Sequence, residues 1–291
     1  MSQGQIIAVT GATGAVGGRV AKLLADAHAP LRMVVRDASR APDLAKADVR
    51  VAAGYHAHDE LVDAFAGAGT VFLIPAAEAR DRVEQHKTAV DAAVQAGVEH
   101  LVYLSFVDAR PDTTFTLGRD HWATEEHIRQ TGAPHTFVRM NLYMDFIPSM
   151  AGEDGVIRGP AGDGKLAAVL RDDVAAAAAA VLTSTGHDGK AYDLTGPSAF
   201  SLGEAAELMT ALTGKAVRFH DETDEEAFAS RASYGAPDWE VAGWVSSYQA
   251  IRDGSLAAVS PDVEQLTGRP PTSLADWLGA HPEALAHLPG A

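Results

Sequence analysis

The sequence contains no cysteine among its 291 residues. Without thiols, the chain can form no disulfide, no thiolate nucleophile and no cysteine-ligated zinc site. This absence is typical of proteins from a reducing compartment, where disulfides are rare. The twelve histidines form no HExxH motif and no histidine–carboxylate set with metal-ligand spacing, so we assign no metal.

Basic residues are also scarce. The chain has 23 lysines and arginines against 39 aspartates and glutamates, and its formal net charge is -16. An acidic surface repels phosphate backbones, so we expect no direct contact with nucleic acid. The alanine-rich run 174–182 is far shorter than the roughly 20 residues that span a bilayer, and the N-terminus has no signal-peptide pattern. We therefore expect a cytoplasmic protein that does not bind membranes.

The first half of the sequence alternates short apolar segments with segments of helical period. Strands that are almost entirely apolar and separated by helices indicate a parallel sheet covered on both faces. We also predict a short helix at 42–47, a loop or hairpin at 151–164, and a helix capped by Asp172 or Asp173. Ser201 and Glu204 have the spacing of a capping box that opens another helix.

A glycine-rich turn joins the first apolar strand to the first helix, and its residues are Gly11, Thr13, Gly14, Ala15, Val16 and Gly17. Gly11 can make a tight turn, Gly14 lets backbone approach a pyrophosphate, and Gly17 lets the helix pack close to the sheet. The N–H groups at the start of the helix then face the phosphates. A strand, this turn and a helix in that order predict a dinucleotide site.

These features together predict an α/β fold: a Rossmann-type doubly wound parallel sheet with a smaller, mostly helical C-terminal substrate subdomain. Residues 1–150 form the NAD(P)-binding domain, to which a segment at about 165–195 adds further sheet elements. Residues 196–291 form the smaller substrate or lid subdomain. In open α/β sheets, ligands bind outside the carboxyl edge, which this subdomain is expected to cover.

The end of the second strand carries the signal for cofactor preference. Versions of this fold that bind NAD place an acidic residue there for the ribose 2′-hydroxyl, whereas this strand ends in Arg36, followed by Asp37. A guanidinium can bind a 2′-phosphate through two parallel hydrogen bonds, and Arg40 can add to it. We favour NADPH over NADH. In the alternative interpretation, Arg36 is a solvated cation and Asp37 binds the ribose.

Several stretches resemble the NmrA-like branch of the atypical short-chain dehydrogenase/reductases. They are Thr10–Gly14 with Gly17, Val35-Arg36, Val71–Pro75, Val102–Ser105, His121–Glu125, Thr136–Arg139 with Tyr143, and Tyr192–Pro197. The resemblance covers nearly the whole chain. It implies a quinone or dye reductase that uses NADPH, or a redox sensor that binds NADP and regulates a protein partner.

The resemblance also shows where this chain departs from ordinary short-chain reductases, which use Tyr-x-x-x-Lys as proton donor and helper. His121 stands where the lysine would be and Leu117 where the tyrosine would be, while Ser105 is kept at the end of strand five. Either His121 is the acid, or the acceptor is a conjugated molecule that needs little acid help from the protein. We favour the second alternative, with His121 near the nicotinamide or substrate. Ser105 is either a substrate contact or a cap of the strand end.

Residues that follow the strand ends complete the predicted site. Ile74 and Pro75 end strand four, where the chain passes the adenine-side ribose of the cofactor. Three further residues are candidates to line a pocket for a flat aromatic substrate: Phe106, Asn141 and Tyr143.

The leading hypothesis is an NADPH-dependent reductase of a small quinone-like or other conjugated acceptor. The alternative is a non-catalytic NADP(H) sensor of NmrA type, and a sugar-nucleotide epimerase is disfavoured by the missing tyrosine. The sequence leaves open whether two copies form a homodimer.

Overall fold

The computed structural model describes residues 5–288, and the alternating pattern of the sequence forms nine strands and ten α-helices within that range. The strands are β1 (Ile6–Thr10), β2 (Leu31–Val35), β3 (Asp48–Val51), β4 (Ala68–Leu73), β5 (His100–Phe106), β6 (His135–Met140), β7 (Val156–Gly159), β8 (Lys190–Leu194) and β9 (Arg218–Asp221). The helices are α1 (Ala15–Asp26), α2 (His58–Phe65), α3 (Arg82–Gln95), α4 (Thr116–Thr131), α5 (Arg171–Thr183), α6 (Leu202–Thr213), α7 (Asp224–Arg231), α8 (Asp238–Arg252), α9 (Asp262–Thr267) and α10 (Leu274–Ala280).

Seven strands form one sheet in the order β3-β2-β1-β4-β5-β6-β8, and all its pairs are parallel. The chain builds outward from β1 to β3 and then returns to place β4 on the other side of β1. The strand order therefore reverses between β1 and β4, which is the place where open parallel sheets leave a crevice for ligands. The predicted Rossmann-type doubly wound sheet is confirmed.

Successive residues of the central strands face opposite sides of the sheet, which explains why almost every residue is apolar. On one side, Val9, Met33 and Phe72 pack under α1 and α5. On the other side, Ala8 and Val34 belong to the core that α2, α3 and α4 cover. Burial of both faces makes the sheet a rigid base for the loops at its carboxyl edge.

Three local predictions differ from the structure. Residues 42–47 form no helix; a short 3-10 helix lies earlier, at Ala38–Arg40, where the side chain of Asp37 accepts a hydrogen bond from the Ser39 N–H. Segment 151–164, predicted as a loop or hairpin, has one antiparallel bridge, between Ala151 and Ile157, but it also contains β7, whose parallel pairing with the distant β9 was not predicted. Asp172 and Asp173 lie in the first turn of α5 rather than capping it, since the N-cap residue is Leu170.

The capping box at the start of α6 is confirmed, with Ser201 and Glu204 each bonding the backbone of the other. A second hydrophobic core joins α6 and α10 to β7 and the end of β5. However, α9 packs at the edge of the main sheet. There the carboxylate of Asp262 accepts a 2.7 Å hydrogen bond from the Asp193 N–H of β8. Within residues 5–288, no helix has both the length and the apolar character to cross a bilayer.

Candidate functional site

A cavity of about 460 Å³ opens at the carboxyl edge of the sheet, at the β1–β4 crossover. It is bounded by the glycine-rich turn, the end of β2 and the loops that follow β3 and β4. Six of the residues that were predicted to bind the cofactor line this cavity: Gly11, Thr13, Gly14, Arg36, Ile74 and Pro75. The other three predicted residues, Ala15, Val16 and Gly17, form the first turn of α1 directly behind Gly14.

The glycines of the turn are required by its geometry. Gly11 has a φ of +61°, and its carbonyl accepts a 2.8 Å hydrogen bond from the Gly14 N–H. A Cβ at Gly17 would lie 2.3 Å from the Gly11 carbonyl oxygen and 2.8 Å from Cδ1 of Ile74. Only hydrogen fits there, so α1 approaches the turn closely and its first N–H groups stay at the cavity.

The start of α1 provides positive potential without a compensating group from the protein. Its N-cap residue, Gly14, has no side chain to accept from the helix, and the first turn contains no acidic residue. N–H groups in the first turn have no partner inside a helix, and they carry the positive end of its dipole. This arrangement suits a pyrophosphate group.

Arg36 and Asp37, the two rival ribose-binding residues, are in different situations. Arg36 lines the cavity and is exposed, and it forms no ion pair with any residue between 5 and 288. Asp37 instead accepts hydrogen bonds from the Ser39 N–H at 2.9 Å and the Ser39 hydroxyl at 2.7 Å. These bonds lower the pKa of Asp37. The free cation at the cavity therefore fits a 2′-phosphate.

Sequence reasoning missed Tyr55, which lines the cavity after β3. Its hydroxyl lies 2.6 Å from Oγ1 of Thr10 and donates to the Ile74 carbonyl, while Thr10 Oγ1 accepts from the Ile74 N–H at 2.9 Å. Burial raises the pKa of Tyr55, so the phenol stays neutral. The side chain fastens the ends of β1 and β4 together. Its position next to Gly54, directly after a strand, was the available signal.

His121 is buried beneath this edge and does not line the cavity. Its Nε2 lies 3.3 Å from a guanidinium nitrogen of Arg82, and its Nδ1 lies 3.0 Å from the hydroxyl of Tyr103. Burial, with the nearby Arg82 charge, holds the pKa of His121 well below its usual value. The imidazole is therefore neutral at physiological pH.

Ser105 is also buried and has a structural partner. Its hydroxyl donates to Oε1 of Glu125 at 2.7 Å. The same carboxylate accepts two hydrogen bonds from Arg139, at 2.8 and 2.7 Å, and one from Arg129 at 2.8 Å. Ser105 thus joins a buried ion-pair network that fastens α4 to β5 and β6.

The three predicted substrate-pocket residues lie apart from the cavity lining, at or after the ends of β5 and β6. Phe106 packs against Phe115, with ring centroids 4.9 Å apart. The Asn141 amide donates to the Leu256 carbonyl at 3.0 Å and accepts from the Leu142 N–H at 2.8 Å, which accounts for its burial without a ligand. The ring of Tyr143 lies under the Arg171 guanidinium, 4.1 Å from it.

Among residues 5–288, no group of three or more histidine, aspartate or glutamate side chains is arranged to hold a metal ion.

Comparison with known proteins places this architecture among reductases. The profile of the NmrA-like family matches residues 3–239. The (4-alkanoyl-5-oxo-2,5-dihydrofuran-3-yl)methyl phosphate reductase of Streptomyces griseus is 38% identical over 288 residues, which cover 97% of this chain and 99% of that protein. Two solved structures are similarly close. The NADPH-dependent quinone oxidoreductase of Escherichia coli, complexed with NADPH, is 33% identical with a TM-score of 0.87, covering 94% of this chain and 99% of that one. The triphenylmethane reductase of Citrobacter, complexed with NADP(H), is 32% identical with a TM-score of 0.84, covering 94% and 99%.

Proposed function

The chain belongs to the NmrA-like family, and on that premise we propose that it is an NADPH-dependent reductase that transfers hydride to a quinone-like or other conjugated acceptor. Two relatives that share nearly its full length are oxidoreductases named for a dihydrofuranone phosphate and a quinone, and a similar structure is named for a triphenylmethane dye. What these acceptors have in common is a conjugated system. We take that property, rather than any one of the molecules, as the substrate class of this chain.

The observation that carries the cofactor assignment is the cavity itself. The start of α1 packs against the glycine-rich turn at a distance that a Cβ at Gly17 would not permit, and its uncapped N–H groups can serve as donors to a pyrophosphate. Arg36 stands at the cavity as a cation without a carboxylate partner among the described residues. These groups fit NADPH better than NADH, because only NADPH carries a 2′-phosphate for the guanidinium to bind.

When bound, NADPH supplies a hydride from its nicotinamide ring. The residues of this chain bind and orient that cofactor at the carboxyl edge: the turn and α1 hold the phosphates, and Arg36 holds the 2′-phosphate. Tyr55, Thr10 and Ile74 fix the edge of the site through their mutual hydrogen bonds. Holding two reactants in a fixed relative orientation accounts for a large part of the rate of such a transfer.

The protein offers no protonated group at the usual donor position. Leu117 stands where a tyrosine would act, and the neutral imidazole of His121 is bonded to Arg82 and Tyr103. A conjugated acceptor tolerates this lack, because the electron pair that arrives with the hydride is delocalised or neutralises a cation, and solvent supplies any proton later. We propose that His121 and Ser105, which are buried beneath the cavity, hold the surrounding elements in place and do not transfer protons.

The remaining site predictions concern the place where the acceptor binds. We propose that Phe106 and Tyr143 flank the acceptor, and we assign Asn141 to the fold because its amide is fully bonded. We also propose that the segment after residue 196 covers the acceptor side of the site, although α9 belongs with the main sheet. The homodimer and the cytoplasmic location stay predictions.

The NADP(H)-sensing alternative shares the cofactor site and differs in turnover. It is favoured by the absence of Tyr-x-x-x-Lys, which the conjugated-acceptor chemistry explains equally well. The reductase proposal is tested by following NADPH oxidation at 340 nm with a panel of quinones, azo dyes and triphenylmethane dyes. Turnover with at least one conjugated acceptor is expected. Tight NADPH binding without turnover on any acceptor would move the assignment to the sensor.

A further inference from the structure

The loop that follows β4 forms one wall of the cavity but has no regular secondary structure of its own. Residues 74–79 lie in neither helix nor strand, and five of them line the cavity. Three of these are alanines, at positions 76, 77 and 79, and they have no polar side chain with which to fix the loop. The one charged side chain of the loop, Glu78, forms a hydrogen bond with Trp244 of α8. The shape of the loop therefore depends on bonds with other elements.

Two buried side chains of α3 hold both backbone polar groups of a single residue in this loop, Ala76. The Ala76 N–H donates to Nε2 of His86 at 2.9 Å, and the Ala76 carbonyl accepts from Nε of Arg82 at 3.0 Å. His86 has 0% and Arg82 5% of its surface exposed. The two buried side chains thus bond to the loop that forms one wall of the cavity.

The hydrogen bonds fix the protonation of His86. Because a backbone N–H can only donate, Nε2 must accept and the proton lies on Nδ1. Nδ1 donates to Oγ1 of Thr124 at 2.8 Å, and that hydroxyl donates to the Asp120 carbonyl at 2.8 Å. Burial, together with the Arg82 charge, lowers the pKa of His86 to about 3, which keeps this arrangement neutral.

Arg82 is held by the same helix, α4. Its guanidinium lies 3.3 Å from Asp120 and 3.3 Å from Nε2 of His121. Since a guanidinium can only donate, His121 accepts at Nε2 and donates from Nδ1 to Tyr103. The Tyr103 hydroxyl also lies 3.5 Å from Nδ1 of His86, so both histidines belong to one network. This network connects α4 and β5 to the backbone of Ala76.

We propose that His86 and Arg82 are positioning residues that clamp the backbone of Ala76 and so hold the loop 74–79 in the shape to which NADPH binds. The inference rests on the proposed function, because it assumes that NADPH occupies the cavity. No motif in the sequence indicated this role for His86. The clamp also explains why His121 is buried: it fixes Arg82 rather than meeting the substrate.

Two neutral replacements of His86 test the clamp. In His86→Gln, the side-chain carbonyl oxygen reaches about as far as Nε2 and can still accept from Ala76. In His86→Asn, the shorter amide can serve Thr124 but not Ala76. Because a buried N–H without an acceptor is unfavourable, the loop should leave its binding shape in the free protein. The Kd for NADPH should therefore rise about 10- to 100-fold in His86→Asn and stay within about threefold of wild type in His86→Gln.

The Kd is measured by fluorescence titration with NADPH, alongside the melting temperature and the KM for the acceptor. The matched control is His100→Asn, at the opposite end of β5, where the imidazole bonds Thr136 at 2.9 Å. It should lower the melting temperature without changing the Kd. Should His86→Asn fail to fold, Arg82→Lys replaces it, because lysine keeps the charge near Asp120 but cannot donate to Ala76 and His121 together.

The clamp is overturned if wild type binds NADPH and His86→Asn or Arg82→Lys binds it equally well, or if His86→Gln is as weak as His86→Asn. Wild-type protein that does not bind NADPH would instead overturn the proposed function, and the inference with it. Because binding is measured directly, the two failures are distinguishable without any substrate.

Discussion

At the scale of single residues, we propose that Arg36 determines the preference for NADPH over NADH. It lies at the cavity with no ion-pair partner among the described residues, and a guanidinium bound to a phosphate is a charge-assisted contact. We expect Arg36→Ala to weaken NADPH binding about 10- to 100-fold, in line with roughly 1.5–3 kcal/mol for a charged hydrogen bond, and to change NADH binding less than threefold. Both constants are obtained by fluorescence titration.

The control for this prediction is Arg50→Ala, which removes the same charge from β3, where Arg50 bonds Asp48 at 3.1 Å outside the cavity. Its NADPH affinity should equal that of wild type. A parallel loss of NADPH and NADH affinity in Arg36→Ala would indicate that Asp37, or the loop as a whole, governs ribose binding.

The buried histidines predict a pH dependence of stability. Burial lowers the pKa of His86 and of His121 in the folded state, so below about pH 6.5 the unfolded chain binds more protons than the folded one. Stability should therefore fall as pH falls, by about 1.4 kcal/mol per pH unit for each histidine. His86→Gln should reduce this slope by about one proton between pH 6 and pH 4.5.

Urea unfolding at several pH values measures the slope, and the exposed His220→Gln serves as the control that removes the same group outside the network. An identical slope for wild type and His86→Gln would show that His86 is not buried as a neutral ring.

Residue-scale features were predictable where the signal lies within a few consecutive positions. The glycine spacing predicted a turn in which Gly11 and Gly14 line the cavity and Gly17 lies behind them in α1, and the end of β2 drew attention to Arg36, which also lines the cavity. His86 and Tyr55 were not found, because their partners lie in other elements. Nothing in the local sequence indicates that an imidazole on α3 accepts from a peptide after β4.

At the scale of elements, the contact between α1 and the turn is the most constrained. We expect Gly17→Ala to lower the unfolding free energy by about 1–3 kcal/mol, because its Cβ would meet the Gly11 carbonyl oxygen at 2.3 Å. NADPH affinity should fall as well, since α1 must move away from the turn. Denaturant unfolding and a cofactor titration test both effects.

The matched substitution is Gly203→Ala in α6, where the nearest atom to a new Cβ is the Ser201 Oγ at 3.6 Å. It should stabilise the protein by up to about 1 kcal/mol, since alanine favours helix, and leave NADPH binding unchanged. If both variants behaved alike, the close packing of α1 would not matter for the site.

Elements of the main sheet were predictable because strands buried on both faces are nearly all apolar. The pairing of β7 with β9 was not, because these short strands are distant in sequence and neither has a clear alternation. The helix predicted at 42–47 failed for a local reason: the Asp37 side chain ends β2 in a tight turn that starts a 3-10 helix at Ala38 instead.

At the scale of the whole molecule, an acidic chain of net charge -16 is proposed to bind a polyanionic cofactor. The start of α1 and Arg36 provide positive potential at one place on the carboxyl edge. The parallel sheet makes this possible, because it brings the ends of β1, β2 and β4 to the same edge. The class of acceptor is proposed from the relatives of this chain and not from the cavity.

Transfer of a deuterium label from NADPH to the product tests directly whether this protein transfers hydride to a conjugated acceptor. A cationic triphenylmethane dye accepts hydride at its central carbon, and the new carbon–hydrogen bond does not exchange with water. The enzyme is incubated with the dye and with each C4-deuterated isomer of NADPH, and the colourless product is analysed by mass spectrometry. We predict one deuterium in the product from one of the two isomers. A dye left unchanged while NADPH binds tightly, or a product without deuterium from either isomer, would contradict the account.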